Sequence, residues 1–574
     1  MGQINKGGFP KDPFFEKLLH NAQLHTKVII SDETLGIQAT YLQLLHDVEA
    51  LRDSIWQTLP DSLFDTNGTI RDDNVFIATL MPGNYEFIVS LVTCLALGAA
   101  IVPFPTGLLP SEASELISKY NITCILTGTG QESLTQAIQY TDIPTIHIPT
   151  QAAKETGPIR ENHQNTPPGN FHLNPTLTIP PETPALILFT SGTTGPPKGV
   201  LHARRFFYAG QGFATPCLHS DTFLLNRPIS WVGSIRRVTE CLVSGSKIVI
   251  MDQTSSSRPA EVWNRLRRGD ISIVSLAARE WVGMMVFYQD VLCGLDEGGL
   301  SRYLQGLRGV RVAQSTGWMP PGAVKEFWFK IRDGRGLEVA YASTEAGAVI
   351  CSTVGGGLDV NACIGRPVSG VEVRLSDGSQ GEMLVKTPTM FKGYLNDIPA
   401  TQAVFDGGTF RSGDIAHSRE DGCLVIDGRA KADFVRFRGL VIPVIEVESA
   451  ISRLSYIEEA YILAVSDPTC QSQVGAVVRT RPVCDTLTIA MLRHDLSNFL
   501  PLYKLPTLLY VLSEAEAVPT TRSGKLDHRR ALDMFFGCSG NYAEAQLPVG
   551  VQKWGITGLC KNGQRAWDWA GLQS

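Results

Sequence analysis

The residues Thr190-Ser191-Gly192-Thr193-Thr194-Gly195-Pro196-Pro197-Lys198-Gly199 directly follow the apolar run Ala185-Leu186-Ile187-Leu188-Phe189. A loop of glycines and small hydroxyl side chains behind a buried strand can turn backbone N–H groups and hydroxyls onto phosphate oxygens. Lys198 adds a point charge for the far phosphates. The spacing is not that of a Walker A loop. Counted from Gly192, that pattern needs Gly at 197 and Ser or Thr at 199, where this chain has Pro197 and Gly199. A surface turn rich in Gly, Ser and Thr is the bland alternative, and this composition behind a buried strand makes it the weaker one.

In this order the loop resembles the signature of the adenylate-forming superfamily, which includes acyl-CoA synthetases, firefly-type luciferases and peptide-synthetase adenylation domains. Further motifs follow as they do in that family. Tyr341-Ala342-Ser343-Thr344-Glu345 resembles Tyr-Gly-x-Thr-Glu, which implies a tyrosine packed on adenine, a threonine on phosphate and a glutamate helping to hold Mg²⁺. A flat aromatic suits a base, and a hard oxygen donor suits a hard cation. Taken alone, Ser343 or Thr344 would read as a helix N-cap. Phe410-Arg411-Ser412-Gly413-Asp414 resembles Tyr-Arg-Thr-Gly-Asp. The likeness implies that Asp414 accepts from both ribose hydroxyls, as carboxylate geometry allows; alone it would be a turn. Gly428-Arg429-Ala430-Lys431 resembles the inter-domain hinge, with Arg429 near the ribose and Lys431 at the pivot.

Arg436-Phe437-Arg438-Gly439, followed by Glu446-Val447-Glu448, is similar to the segment that faces the thiol acceptor. The stretch from Lys431 to Gly439 is one residue longer than in many relatives, and Pro443 sits one place before the usual proline. Pro519-Thr520-Thr521-Arg522-Ser523-Gly524-Lys525 resembles the C-terminal Pro-x-x-x-Ser-Gly-Lys. The likeness implies that Lys525 bridges the acid's carboxylate and the α-phosphate; on its own, a lysine in a Ser-Gly turn is solvated surface.

The resemblance runs from about Asp32 to Leu532 and implies a two-step reaction. A carboxylate attacks Mg·ATP to give an acyl-adenylate and pyrophosphate. The small domain then swings about Lys431, withdrawing Lys525, and a thiol of CoA or of a carrier's phosphopantetheine takes the acyl group. An acyl-CoA synthetase leads, an acyl-AMP ligase loading a carrier protein comes second, and a nucleotide-binding paralogue without turnover is the third reading. Lys198, Glu345, Asp414 and Lys525 together weigh against the third. Trp231 lies where many relatives carry an aromatic–His pair, and Trp318 lies where a small residue is usual. These indoles either shape a short or aromatic acyl pocket or are wall packing. Arg236 and Arg237 could meet the second carboxylate of a diacid, though exposed basic residues are the plainer reading.

The elements that must position these residues alternate helical segments with short apolar runs, among them 74–80, 186–189, 247–251 and 271–276. That pattern predicts an α/β fold with parallel or mixed sheets in a large N-terminal domain of several subdomains. A small mobile α+β domain follows. The boundaries read as 1–427, a hinge at 428–431, 432–532, and a tail 533–574 holding Trp554, Trp567 and Trp569, part of which packs on the body or a partner. The Pro-rich stretch 149–184 reads as a surface connection.

The charge-free stretch from Phe87 to Phe104 is long enough to suggest a membrane span, but Gly98 and Pro103 divide it into a buried helix and a strand. The net charge of −6 leaves no excess of cations for nucleic acid. Arg265, Arg267 and Arg268 read as a solvated helix face. The 12 cysteines include no Cys-x-x-Cys pair and look like reduced thiols of a cytosolic protein, with Cys94 and Cys241 in the core.

Overall fold

A computed structural model describes residues 8–105, 108, 110–131, 143–148, 171–190, 198–210, 212–252, 258–317, 319–353, 357–359, 362–429, 434–437, 440–467, 471–482, 486–521, 526–537 and 547–555. The chain divides into two compact units: Met1–Pro320, Val324–Ser412 and Ala416–Ile426 form the larger, and Pro321–Ala323, Gly413–Ile415 and Asp427–Ser574 the smaller. The fold is α/β, as the alternation of elements predicts.

The larger unit opens with α1 (Pro13–Leu24), started by Asp12, whose carboxylate accepts the Phe15 N–H at 2.9 Å. Asp12 also pairs with Arg204 at 2.5 Å, and both side chains are buried. The first sheet holds β1 (Phe76–Leu80), and the helix α2 (Tyr85–Leu97) follows it. Asn84 caps α2, every one of its residues is buried, and Gly98 ends it at φ 74°, where a Cβ would be strained. The chain then enters β2 (Ala100–Pro103). The apolar stretch is therefore a core helix and a strand, with Cys94 buried inside it. The next strands of this sheet, β3 (Pro184–Phe189) and β4 (Gly199–Ala203), form an antiparallel hairpin.

A fourteen-stranded sheet carries the parallel series β5 (Thr222–Leu225), β6 (Lys247–Ile250), β7 (Ile273–Ala277), β8 (Val312–Thr316) and β9 (Glu338–Ser343). Between β5 and β6 lies α3 (Val232–Ser244), with Cys241 buried in it. In the sheet β6, β5, β7, β8 and β9 lie side by side, so the C-terminal ends of these strands share one edge. β10 (Ala348–Ser352) turns back antiparallel to β9. β11 (Gly393–Tyr394) returns to the first sheet and pairs with β4, bringing Val200 opposite Tyr394. β12 (Thr409–Ser418) completes the part of the large sheet that bears on the site.

The basic cluster at 265–268 differs from the sequence reading. Arg265 is buried and paired with Asp270 at 2.5 Å and Glu33 at 3.1 Å. Arg267 and Arg268 are exposed as expected, with Arg268 paired with Glu33 at 2.6 Å.

The smaller unit is built on a six-stranded sheet around the long hairpin β13 (Ile457–Asp467) and β14 (Gln471–Thr480), with β15 (Leu508–Val511) parallel to β14. The helix α4 (His528–Phe536) runs through Leu532, and Phe535 and Phe536 are buried in this unit's core. Beyond it β16 (Gln552–Lys553) adds to β15, and the Trp554 N–H donates to the Thr507 carbonyl at 2.9 Å. The Arg493 guanidinium lies 4.7 Å from the Trp554 ring. This part of the tail packs on the body; Trp567 and Trp569 lie outside the described residues.

Candidate active site

The hairpin β3–β4 holds the phosphate loop by its neck. Phe189 is opposite Gly199, and just beyond them the Thr190 N–H donates to the Lys198 carbonyl at 3.0 Å. Ser191, Gly192, Thr193, Thr194 and Gly195 lie outside the described residues. Gly199 has a steric reason to be glycine: its N–H donates to the Tyr120 hydroxyl at 3.0 Å, and a Cβ there would lie 2.9 Å from the Tyr120 ring.

Tyr341, Ser343, Thr344 and Glu345 form the end of β9 and the turn into β10, so the Ser-Thr-Glu triplet begins no helix. The turn is closed locally. The Ala346 N–H donates to Ser343 Oγ at 3.1 Å, and the Gly347 N–H donates to the Thr344 carbonyl at 3.1 Å. Gly347 sits at φ 68°, and a Cβ there would meet the Thr389 carbonyl at 2.5 Å and His202 Cε1 at 3.1 Å. His202 is fully buried behind this turn, and burial drives its imidazole down to about 3, so it is neutral.

One residue that the sequence reading did not single out joins the two motifs. The Tyr394 hydroxyl donates to Glu345 Oε1 at 2.9 Å, and the Lys198 ammonium lies 4.8 Å from the centre of the Tyr394 ring. The β4–β11 pairing makes this possible by setting Tyr394 beside Val200. The loop lysine and the turn glutamate, about 150 residues apart, thus share one aromatic side chain. Replacing Tyr394 by Phe removes a hydrogen bond to a carboxylate and is expected to lower kcat/KM for Mg·ATP about tenfold. An unchanged value in steady-state assays would show that the contact does not position Glu345.

Asp414 is buried on β12, with Arg411 of the same strand paired to Glu382 at 2.6 Å. Arg429 ends the strand Leu424–Arg429, and Arg436 lies in the strand Phe434–Phe437. Lys431, Arg438, Gly439 and Lys525 lie outside the described residues. The glutamates that follow have structural partners: Glu446 pairs with Lys504 at 2.6 Å, and Glu448 accepts the Ile462 N–H at 2.9 Å.

At the shared strand edge, Trp231 carries the Arg227 guanidinium 4.3 Å from its ring centre. Trp318 lies outside the described residues. Arg236 and Arg237 are not exposed; both are buried on α3. Arg236 donates to the Phe206 and Ala209 carbonyls, while Arg237 pairs with Glu240 at 2.9 Å and lies 3.5 Å from the Phe213 ring centre. Both are committed inside the larger unit, Arg236 to carbonyls and Arg237 to Glu240. Arg227 is a buried arginine whose hydrogen bonds, among the described residues, go to neutral hydroxyls rather than to a carboxylate or a carbonyl; its signal in the sequence is a charge wedged between the apolar run Phe223-Leu224-Leu225 and Pro228.

The model of the AMP-binding enzyme family matches residues 62–395, and that of the AMP-binding enzyme C-terminal domain matches 446–525. The acyl-CoA ligase oryP of Aspergillus oryzae is 35% identical over 92% of this chain and 93% of its own. A malonate–CoA ligase of Arabidopsis thaliana is 26% identical over 61% of this chain and 60% of its own. Among solved structures, the anthranilate CoA ligase AuaEII with anthranoyl-AMP superposes with a TM-score of 0.74 at 17% identity, over 91% of this chain and 96% of that one.

Proposed function

The chain belongs to the AMP-binding enzyme family and is an ATP-dependent acid–thiol ligase, and on that premise we propose how its own residues divide the reaction. The acid's carboxylate attacks the α-phosphate of Mg·ATP, pyrophosphate leaves, and the acyl-adenylate is then attacked by the CoA thiol to give acyl-CoA and AMP. The observation that carries this reading is the Lys198–Tyr394–Glu345 assembly, which puts a cation and a hard carboxylate beside the mouth of the phosphate loop.

In this assignment Thr190, Ser191, Gly192, Thr193, Thr194 and Gly195 wrap the phosphates, and Lys198 meets the far ones. Tyr341 packs on the adenine, Thr344 contacts phosphate, Asp414 takes the ribose diol, and Arg429 lies near the ribose. Lys525 neutralises the approach of one anion to another, a charge that develops only along the reaction. Among the described residues no three His, Cys, Asp or Glu side chains cluster as a metal cage. Glu345 fits the alternative, a Mg²⁺ held by one carboxylate together with the substrate's phosphates. The mixed anhydride is itself the activated species, so Ser191 acts as a phosphate ligand rather than a nucleophile.

No helix among the described residues is long and apolar enough to cross a membrane, and we place the reaction in the cytoplasm. The test is pyrophosphate release across fatty, aromatic, dicarboxylic and amino acids, with and without CoA. Turnover that needs one acid, Mg²⁺ and CoA is the expected result. A single burst of pyrophosphate indifferent to CoA would point to a carrier-protein acceptor instead. ATP binding without release for any acid would leave a nucleotide-binding paralogue.

A further inference from the structure

Arg227 stands at the C-terminal ends of three adjacent parallel strands, the edge where open α/β sheets bind their ligands. It follows β5, and one terminal nitrogen of its guanidinium donates to Ser275 Oγ of β7 at 3.3 Å and to Thr316 Oγ1 of β8. Its side chain is 8% exposed, and its Nε has no hydrogen-bond partner among the described residues. Burial lowers its pKa to about 10, so it stays charged at neutral pH.

Other buried arginines of this chain end on groups that answer a positive charge. Arg204 meets Asp12, Arg237 meets Glu240, Arg332 donates to the carbonyls of Val310 and Gly336, and Arg493 to those of Leu505 and Pro506. Among the described residues Arg227 has two neutral hydroxyls and an indole face. Its charged neighbours are Glu280 and Arg258, and that carboxylate is already engaged by Arg258 at 3.2 Å and by the Ala277 N–H at 2.7 Å. Among the described residues, two guanidiniums therefore face one carboxylate at this edge. A buried, incompletely bonded guanidinium is costly unless something anionic comes to it.

The register fixes how far this charge lies from the reacting end. Thr316, which receives the guanidinium, is paired with Ala340 on β9, the residue before Tyr341. One strand spacing, about 5 Å, separates those backbones. We propose that Arg227 is a specificity residue that holds the second carboxylate of a short α,ω-dicarboxylic acid, while the first is activated at the turn following Tyr341. The inference rests on the adenylation reading above. Arg227 offers Nε and its second terminal nitrogen side by side, the fork that takes a carboxylate through two parallel bonds. Ser275 and Thr316 hold the fork at its other end, and Trp231 covers its face.

The test is kcat/KM for CoA-dependent pyrophosphate release with chain-matched pairs: succinate and butyrate, glutarate and pentanoate, adipate and hexanoate. Each pair is run on wild type, Arg227→Met and Arg227→Lys, with circular dichroism melts as the check on folding. Wild type is expected to prefer the diacid of at least one pair. Arg227→Met is expected to lower the diacid-to-monoacid ratio about a hundredfold, because the second carboxylate loses its buried partner. Arg227→Lys keeps the charge without the fork and is expected to fall between the two. Methyl-ester capping of the far carboxylate should reproduce the loss in wild type. The proposal is overturned if wild type shows no preference in any pair, or if Arg227→Met lowers both members of each pair alike. No release from any acid by folded wild type overturns the adenylation reading itself, an outcome distinct from either.

Discussion

Replacing Lys525 with Ala should lower acid-dependent pyrophosphate release by about a hundredfold or more, the loss of on the order of 3 kcal/mol expected when one preorganised donor to a developing anion is removed. The two half-reactions should separate. Adenylation brings a carboxylate onto an already anionic phosphate, so it needs a cation between them. Thiol attack starts from a mixed anhydride in which that charge problem has been solved. Acyl-CoA formation from synthetic acyl-adenylate by Lys525→Ala should therefore stay within about threefold of wild type, since the lost donor served only the first transition state. Equal losses in both halves would mean that Lys525 supports the small unit's structure rather than the first step. A fully active variant would remove the residue from the mechanism altogether.

Asp12→Ala is expected to destabilise the chain by about 3–5 kcal/mol, because it strands a buried guanidinium. Arg204 is bonded to Asp12 Oδ2 through Nε at 2.8 Å, and its remaining terminal nitrogen donates to the Leu95 carbonyl at the end of α2 at 2.7 Å. Asp12 Oδ1 meanwhile caps α1. The carboxylate therefore ties α1, α2 and the segment after β4 together. Asp12→Asn keeps an acceptor for the cap and should recover about 1 kcal/mol of the loss. The double variant Asp12→Ala/Arg204→Met should be more stable than Asp12→Ala alone, since it removes the orphaned charge. Urea denaturation of the whole chain measures all three. A cost below about 1 kcal/mol for Asp12→Ala would mean that water reaches Arg204.

The strands were legible because strands buried on both faces carry continuous apolar runs. Phe76–Leu80, Pro184–Phe189 and Lys247–Ile250 emerge within two residues of the runs read from the letters. The division of 87–104 into helix and strand was legible from Gly98, because glycine alone enters the left-handed region cheaply. The phosphate-loop and turn motifs were legible because few residue types can do their chemistry.

Tyr394 was not. A Gly-Tyr pair carries little signal, and its place depends on β11 crossing back to β4 after nearly two hundred residues. The arginines misled for a related reason. Isolated Arg is usually exposed, so Arg236, Arg237 and Arg265 read as surface. Carbonyls and carboxylates that satisfy them arrive from other elements. The letters around Arg227 show a charge beside an apolar run, but its burial depends on three strand ends converging, which no local window contains.

The Gly393-Tyr394 strand is two residues long and pairs with β4 at only two positions. Side chains alternate across a sheet, so the loss or gain of one residue between Thr389 and Gly393 would turn the phenol to the opposite face. Such a change leaves every motif letter in place, yet parts Glu345 from its hydroxyl and Lys198 from its ring. Among related chains, this connection should therefore tolerate changes of residue far better than changes of length.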